Sequence, residues 1–319
     1  MKRSTVITAL ATLTVAGLAL AGCAPAATDE TPAEKPVVSI ITIAYAIPTA
    51  KVVLDEVVAQ GEAEGWDVQI SDSAGDFNKA IGFYQDAAVS DVDAIVNGFV
   101  SSSLIGPGLQ AAKDAGIPVY GFDASSEADP LHDLVVTSDN TAIGVVAAEA
   151  IIDAVGEPGT VLIVTYSPLP SIAERTQGAI DTFEAAGWEV KQTLDLTGPV
   201  TAAEETTNFV TDVLTANPAP GAIDAIWTPG AEFAGIPAAE TLTRLGREDV
   251  IVSGVDTSDA VTAAIKSGGP LKFTVEQDFA GQITAIIDAI KAQLKDGTKP
   301  AKPFIKFAPK LLSIDNIDD

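Results

Sequence analysis

Residues 117–123, with the sequence IPVYGFD, decide the fold class of this chain. The run is short, apolar and rich in β-forming residues, and it stops at the carboxylate of Asp123. This pattern predicts a buried strand that places Asp123 at its carboxyl end. Residues 250–256, with the sequence VIVSGVD, repeat the pattern and predict a second buried strand that ends at Asp256.

The repeat extends upstream of both strands in the same order. EGWDV at 64–68 matches AGWEV at 186–190, and DAIV at 93–96 matches DAIW at 224–227. We therefore predict two similar α/β halves. In open α/β sheets, ligands bind outside the carboxyl ends of the strands, so two halves that face each other would bring Asp123 and Asp256 to one cleft.

The composition supports this size and excludes some partners. The chain has 319 residues, of which 47% are hydrophobic and 19% are charged, which is enough for two ordinary α/β domains. It has 18 Lys plus Arg against 44 Asp plus Glu, and its formal net charge is −26. Such a surface would repel nucleic acid and anionic membranes.

The first residues predict export. Lys2 and Arg3 precede an apolar run at 6–20, so residues 1–22 are predicted to be a signal peptide. LAGC at 20–23 resembles the lipobox of bacterial lipoproteins, in which Cys23 would carry the lipid. The alternative is an ordinary signal peptide with an incidental cysteine. Residues 23–36 lack periodicity and predict a flexible tether, and a single cysteine excludes an internal disulfide.

From residue 37 onward, strand-like runs alternate with Ala-rich helical windows, and glycines stand where helices are expected to end. This alternation predicts βαβ units and parallel sheets. We expect a first lobe of residues 37–138 with 278–303, and a second lobe of residues 139–277 with 304–319.

With the two Asp-terminated strands, the lipobox and the βαβ alternation, residues 37–297 resemble the ribose-type sugar-binding proteins of ABC importers. The resemblance implies the type I periplasmic binding protein fold, in which two Rossmann-like lobes joined by three crossings close on a ligand. It also implies a monomer without cofactor, metal or catalysis, held by a lipid at the outer face of the cell membrane. Such a protein delivers a small sugar or polyol to an ABC permease.

The resemblance also implies binding residues at five positions that match the family's pattern: Asn97, Asp123, Arg175, Asp256 and Gln277. These residue types suit a polyol, because carboxylates accept hydrogen bonds from hydroxyls, Arg donates in a fork, and Asn or Gln can do both. Aromatic faces complete such a site by covering C–H surfaces. We expect them from strand-end loops, with Tyr45 and Trp227 as ligand contacts and Phe99, Tyr166 and Phe233 as further candidates.

Three departures from the family's pattern leave the ligand undetermined. Residues 47–50, IPTA, stand where an asparagine and paired aromatics are common. Ala124 stands where an arginine often follows the first Asp, and residues 229–231, PGA, replace an asparagine of the second lobe. A nucleoside or another small polar ligand therefore remains an alternative, and so does a sensory role that uses the same cleft.

Each residue also has a structural alternative. An Asp at a strand end often caps the next helix, and a Trp at the same place often packs in the core. Asp123 and Asp256 facing each other would also suit a glycosidase. We do not favour an enzyme, because the single histidine, His132, lies in a polar loop and is expected at the surface, and no metal cluster or phosphate-binding loop accompanies it.

Overall fold

The computed structural model describes residues 34–198 and 200–318. The first part of the chain alternates strands and helices as far as residue 138. Its elements are β1 (Val37–Thr42), α1 (Pro48–Ala63), β2 (Asp67–Asp72), α2 (Phe77–Ala87), β3 (Ala94–Gly98), a 3₁₀ turn (Ser102–Leu104), α3 (Gly106–Asp114), β4 (Val119–Phe122) and β5 (Leu134–Ser138).

The second part repeats the alternation. It consists of α4 (Asn140–Val155), β6 (Thr160–Thr165), α5 (Pro170–Ala185), β7 (Glu189–Asp195), α6 (Ala202–Ala216), β8 (Ala225–Trp227), a π-helical turn (Ala231–Gly235), α7 (Ile236–Leu245), β9 (Ile251–Val255), α8 (Asp259–Lys266) and β10 (Leu271–Glu276). The chain then forms α9 (Phe279–Asp296), β11 (Phe304–Phe307) and β12 (Lys310–Leu312).

The strands form two six-stranded sheets, one for each lobe. The first has the order β11-β5-β4-β3-β1-β2 and is parallel, and the second has the order β12-β10-β9-β8-β6-β7 with β12 antiparallel at its edge. The predicted fold class, two Rossmann-like lobes with parallel sheets, is confirmed. The chain passes between the sheets after β5, after β10 and after β11.

The third crossing differs from the sequence-based expectation, which placed residues 304–319 with the second lobe. Phe304 pairs with Val135, so β11 extends the first sheet and the crossing falls after Phe307. The short β11 and β12 follow each other closely, and their sequence carries no sign of which sheet each one joins. Only the hydrogen bonds to β5 and β10 decide it.

Helices cover both faces of each sheet, which explains why the central strands are continuous apolar runs. The repeated Gly-Trp pairs act in the same way in both lobes. Gly65 and Gly187 have φ values of 90° and 77°, in the left-handed region that lets a helix end without steric cost. Trp66 and Trp188 then pack into the two cores, where they are 6% and 4% exposed.

Helices α4 and α5 of the second lobe pack unusually closely. A Cβ atom at Gly144 would lie 1.9 Å from the carbonyl oxygen of Arg175, and one at Gly178 would lie 2.5 Å from the carbonyl oxygen of Thr141. The two glycines therefore allow backbone-to-backbone contact, and this contact sets the position of the helix turn that carries Arg175. Within the described residues, no helix is long and apolar enough to cross a membrane.

Candidate functional site

Asp123 and Asp256 occupy equivalent backbone positions in the two lobes. Each follows a central strand directly and has a positive φ, 51° for Asp123 and 74° for Asp256. Each also donates its backbone N–H to the neighbouring strand, Asp123 to Val136 and Asp256 to Val275, over 2.9 Å. Left-handed backbone is uncommon outside glycine and collects at functional sites, although Asp tolerates it better than most residues.

The carboxylate of Asp123 is buried against the end of β5. The hydroxyl of Thr137 donates to its Oδ1 atom over 2.5 Å, and the side chain is only 5% exposed. Burial raises the pKa of Asp123 above its ordinary value, and the positive charge of Arg175 and the bond from Thr137 oppose this rise. Burial therefore makes the charged form of Asp123 costly, and Arg175 and Thr137 offset part of that cost.

The carboxylate of Asp256 is half-buried beside the second crossing. Gln277 donates from Nε2 to its Oδ1 atom over 2.5 Å, and the hydroxyl of Thr274 donates to its backbone carbonyl over 2.6 Å. Burial raises the pKa of Asp256, and the charge of Arg175 and the bond from Gln277 oppose this rise. Both carboxylates thus depend on the same arginine.

Arg175 lies between these carboxylates and is 3% exposed. Its Nη2 and Nε atoms donate to Oδ1 of Asn140 over 2.7 and 3.2 Å, and its Nη1 atom donates to the carbonyl oxygen of Pro229 over 3.0 Å. Burial lowers the pKa of Arg175, while Asp256 and Asp123 oppose this fall. Neutral oxygens therefore hold the guanidinium in place, and its charge acts on both carboxylates from a fixed position.

A continuous set of hydrogen bonds connects the two lobes through the crossings. Asn140 donates from Nδ2 to the hydroxyl of Thr137 over 3.1 Å, and Thr137 in turn donates to Asp123. On the other side of Arg175, Nη2 lies 3.5 Å from Oε1 of Gln277, which bonds to Asp256. The polar groups of the cleft are therefore held by residues at the first and second crossings.

These groups line a cavity between the lobes, of which about 70 Å³ is open to water molecules. The rest of its lining is mostly apolar. Its residues are Ala44, Ile47, Thr49, Ala50, Phe99, Asp123, Leu169, Ser171, Ile172, Arg175, Pro229, Phe233, Asp256, Gln277 and Phe279. Of the expected binding residues, the structure brings Asp123, Arg175, Asp256 and Gln277 together here.

Three other expected binding residues lie away from this cavity. The Nδ2 atom of Asn97 lies 3.1 Å from Nε2 of His132, in the packed interior of the first lobe. Trp227 is fully buried in the core of the second lobe, because β8 turns it towards the helices. Tyr45 donates its hydroxyl to Asp55 of α1 over 2.6 Å. Cys23, the expected lipidation site, lies outside the described residues.

His132 was expected at the surface, but it is only 7% exposed and lies in the interior. Its Nδ1 atom lies 3.2 Å from Asp129, and this histidine is the main reason that the pKa of Asp129 falls to about 2. This contact lies within the loop that follows Asp123 and connects β4 to β5. Among the described residues, no three His, Cys, Asp or Glu side chains are grouped to hold a metal ion.

Several cavity and support residues were missed by sequence reasoning. Thr137 lies near the end of β5, Asn140 begins α4 and Phe279 begins α9. Their position could have identified them, since they lie at or just beyond the ends of β5 and β10, the strands that are adjacent to β4 and β9. Phe99 and Phe233, expected as further aromatic candidates, do line the cavity, whereas Tyr166 does not.

The comparisons with known proteins agree with the fold. Residues 38–299 match the family described as periplasmic binding protein domain. The D-apiose import binding protein of Actinobacillus succinogenes is 26% identical over 250 residues, which cover 77% of this chain and 77% of that protein.

Solved structures share the fold at lower identity. An ABC sugar transporter subunit from Rhodobacter sphaeroides superposes with a TM-score of 0.80 at 23% identity, covering 88% of this chain and 99% of that one. The Caulobacter myo-inositol binding protein bound to myo-inositol also has a TM-score of 0.80, at 21% identity, covering 90% of this chain and 96% of that one.

Proposed function

The chain belongs to the periplasmic binding protein family, and we propose that it captures a small sugar or polyol between its two lobes and delivers it to an ABC permease. The observation that carries the proposal is the convergence of Asp123, Arg175, Asp256 and Gln277 on one cavity between the lobes. The family and the relatives described above are transport binding proteins and not enzymes.

The chemistry of these residues supports a neutral, hydroxylated ligand. Each carboxylate already accepts a hydrogen bond at Oδ1 from a protein donor, Asp123 from Thr137 and Asp256 from Gln277. Each carboxylate has further lone pairs that can accept hydrogen bonds from ligand hydroxyls, and a hydrogen bond to a carboxylate is stronger than one to a neutral acceptor. Two carboxylates against one guanidinium also leave a net negative charge, which disfavours an anionic ligand.

Binding and closure follow from the division of these groups between the lobes. The open form admits the ligand to Asp123 and the apolar residues of the first lobe, and the second lobe then adds Asp256 and Arg175. The hinge lies at the three crossings, and the first lobe comprises residues 37–138 with 278–307. Because the crossing residues Asn140 and Gln277 hold Arg175, closure and the alignment of the polar groups are coupled.

The family name supports a position outside the cytoplasm, and we further propose that a lipid on Cys23 holds a monomer at the outer face of the membrane. Metabolic labelling with a fatty acid tests this directly. Label should enter the wild-type protein and be absent from Cys23→Ser, while label in the variant would contradict the assignment. Elution of the detergent-free Cys23→Ser protein at the size of a dimer would contradict the monomer.

Isothermal titration calorimetry of the purified protein against pentoses, hexoses, deoxysugars and alditols tests the proposed ligand class. We expect at least one neutral carbohydrate to bind, to be recovered unchanged by mass spectrometry, and to bind more weakly to Asp256→Ala. The unpaired groups left behind in that variant cost about 1 to 3 kcal/mol. Recovery of a chemically altered ligand would indicate an enzyme, and the absence of any carbohydrate ligand would contradict the proposal.

A further inference from the structure

The cleft cavity is polar at one end and apolar at the other. Asp123, Arg175, Asp256 and Gln277 form the polar end beside the crossings. The other end continues into a second cavity, about 40 Å³ of which is open to water, with which it shares Ala44, Ile47, Leu169, Ile172 and Phe233. The remaining lining of the second cavity is Ile43, Gly75, Tyr166, Leu196 and Gly198, so Tyr166 supplies its one polar side chain.

Apolar residues at two helix starts, one in each lobe, form part of the apolar end. Ile47 is the N-cap of α1 and Leu169 is the N-cap of α5, and neither side chain can accept a hydrogen bond from the first turn. Ser, Thr, Asp and Asn are preferred at this position because they make that bond. Both residues line both cavities instead.

The prolines that follow reduce the cost of starting these helices without a capping side chain. Pro48 and Pro170 stand at the first helical position, where the absent N–H leaves one fewer unpaired donor at the helix start. Ile105, the N-cap of α3, is also apolar and also makes no cap, but it is fully buried in the core of the first lobe, so an apolar N-cap alone does not indicate a function. Ile47 and Leu169 differ from it because both line the cleft, where each lobe thereby contributes apolar surface.

A hydroxyl placed against the five shared side chains would lose its water and find no hydrogen-bond partner among them. Thr49 and Ser171 are the residues with hydroxyl side chains in the lining of the cleft cavity. The residues that the two cavities share are all apolar. Burying a hydroxyl without a hydrogen bond is costly, whereas burying a methyl group is favourable. The two ends therefore select opposite chemistry in one small ligand.

We infer that the ligand is a deoxy or methyl-bearing sugar or polyol, with its hydroxyls on Asp123, Asp256 and Arg175 and its deoxy end on Ile47, Leu169 and Phe233. This inference rests on the proposed function and names the ligand class within it. It also explains why the cleft has fewer polar residues than the family's pattern leads one to expect.

Matched pairs of carbohydrates test the inference by isothermal titration calorimetry. L-fucose against L-galactose and L-rhamnose against L-mannose each compare a methyl group with a hydroxymethyl group, and further pentoses and alditols are titrated with their deoxy counterparts. We expect the deoxy member of the best-binding pair to bind at least about tenfold more tightly, since an unpaired buried hydroxyl is excluded.

The outcomes separate this inference from the proposed function. If a fully hydroxylated member binds as tightly as its deoxy counterpart or more tightly, the inference is overturned and the proposed function stands. If no carbohydrate binds, both are overturned.

A variant locates the preference in the structure. In Leu169→Asn, the new side chain suits an N-cap, so α5 should still form, but the apolar surface is lost. The ratio of the two dissociation constants should fall to within about threefold of unity. Leu245→Asn, at a site 38% exposed at the end of α7, is the matched control and should keep the ratio. An unchanged ratio in a folded Leu169→Asn protein would overturn the inference.

Discussion

The two lobes present the same backbone and different chemistry to the cleft. Asp123 and Asp256 share a positive φ and the same N–H bond to a neighbouring strand, yet Asp123 is buried against Thr137 and Asp256 is half-buried against Gln277. The second lobe adds Arg175, and the first lobe adds no second charged group to the cavity. A repeated fold therefore supplies two equivalent positions, and single side chains decide what each one binds.

Arg175→Met should have the largest effect, because it removes the group on which both halves depend. The buried carboxylate of Asp123 and the half-buried carboxylate of Asp256 would lose the positive charge beside them, and Asn140 and the carbonyl of Pro229 would lose their donor. We expect ligand binding to become undetectable and the free energy of unfolding to fall by about 3 to 5 kcal/mol. Titration calorimetry and urea denaturation measure both quantities.

The matched control for this variant is Arg244→Met, which lies near the end of α7 in an exposed position. It should leave affinity unchanged. Retained binding in Arg175→Met would contradict the claim that the binding groups of both lobes depend on Arg175.

Gly144→Ala should distort the second lobe and leave the first intact. Its Cβ atom would lie 1.9 Å from the carbonyl oxygen of Arg175, so α4 and α5 must move apart and carry Arg175 with them. We expect the free energy of unfolding to fall by about 1 to 3 kcal/mol and ligand affinity to fall with it. Chemical denaturation and titration of the same preparation measure the two effects.

Gly82→Ala is the control in the first lobe. Nothing lies within 4 Å of a Cβ atom at Gly82, which is inside α2. Alanine is a better helix former than glycine, so this variant should gain about 0.5 to 1 kcal/mol and bind normally. Equal stability of the two variants would refute the close α4–α5 contact as the cause.

Asp123→Asn and Asp256→Asn sharpen the comparison between the two carboxylates. Each variant removes a charge that accepts hydrogen bonds, and we expect each to weaken ligand binding by about 1.5 to 3 kcal/mol. Without ligand, each should raise the melting temperature at neutral pH, because burial raises the pKa of both carboxyls and so makes the charged form costly.

The pH dependence gives the sign of that effect. A carboxyl whose pKa is raised in the folded state binds more protons there than in the unfolded state, so it costs stability as the pH rises above the ordinary value of 3.8. The melting-temperature gain should therefore grow as the pH rises from 4 to 7. Calorimetric scans of each variant against wild type at several pH values measure it, and a gain that shrinks over this range would contradict the argument.

Trp227→Phe should have the smallest effect on binding, because Trp227 lies in the second-lobe core and not in the cavity. We expect affinity within about twofold of wild type and a loss of stability of about 1 to 3 kcal/mol from the cavity left in the core. Phe233→Ala, which alters the cavity lining, is the contrast and should weaken binding. A large loss of affinity in Trp227→Phe would instead indicate that Trp227 contributes to ligand binding.

The sequence predicted the parts of the site that are repeated and missed the parts that are not. Asp123 and Asp256 were predicted because two strands end in the same residue, Arg175 and Gln277 were predicted through the family's pattern, and all four line one cavity. Asn97 was predicted through the same pattern and Trp227 from its place at a strand end, and neither lines that cavity. At a strand end the side chain can face the cleft or the helices, and a shift of one residue changes the face.

By itself, the sequence determined the two α/β halves, their parallel sheets and the carboxylates at the ends of the central strands, because hydrophobic periodicity and helix-ending glycines act locally. Only the tertiary structure decided the apolar end formed by Ile47 and Leu169, the crossing residue Asn140 behind Arg175, and the sheet that β11 joins. The physical reason is that these features depend on contacts between segments far apart in the chain, and such contacts carry no local pattern.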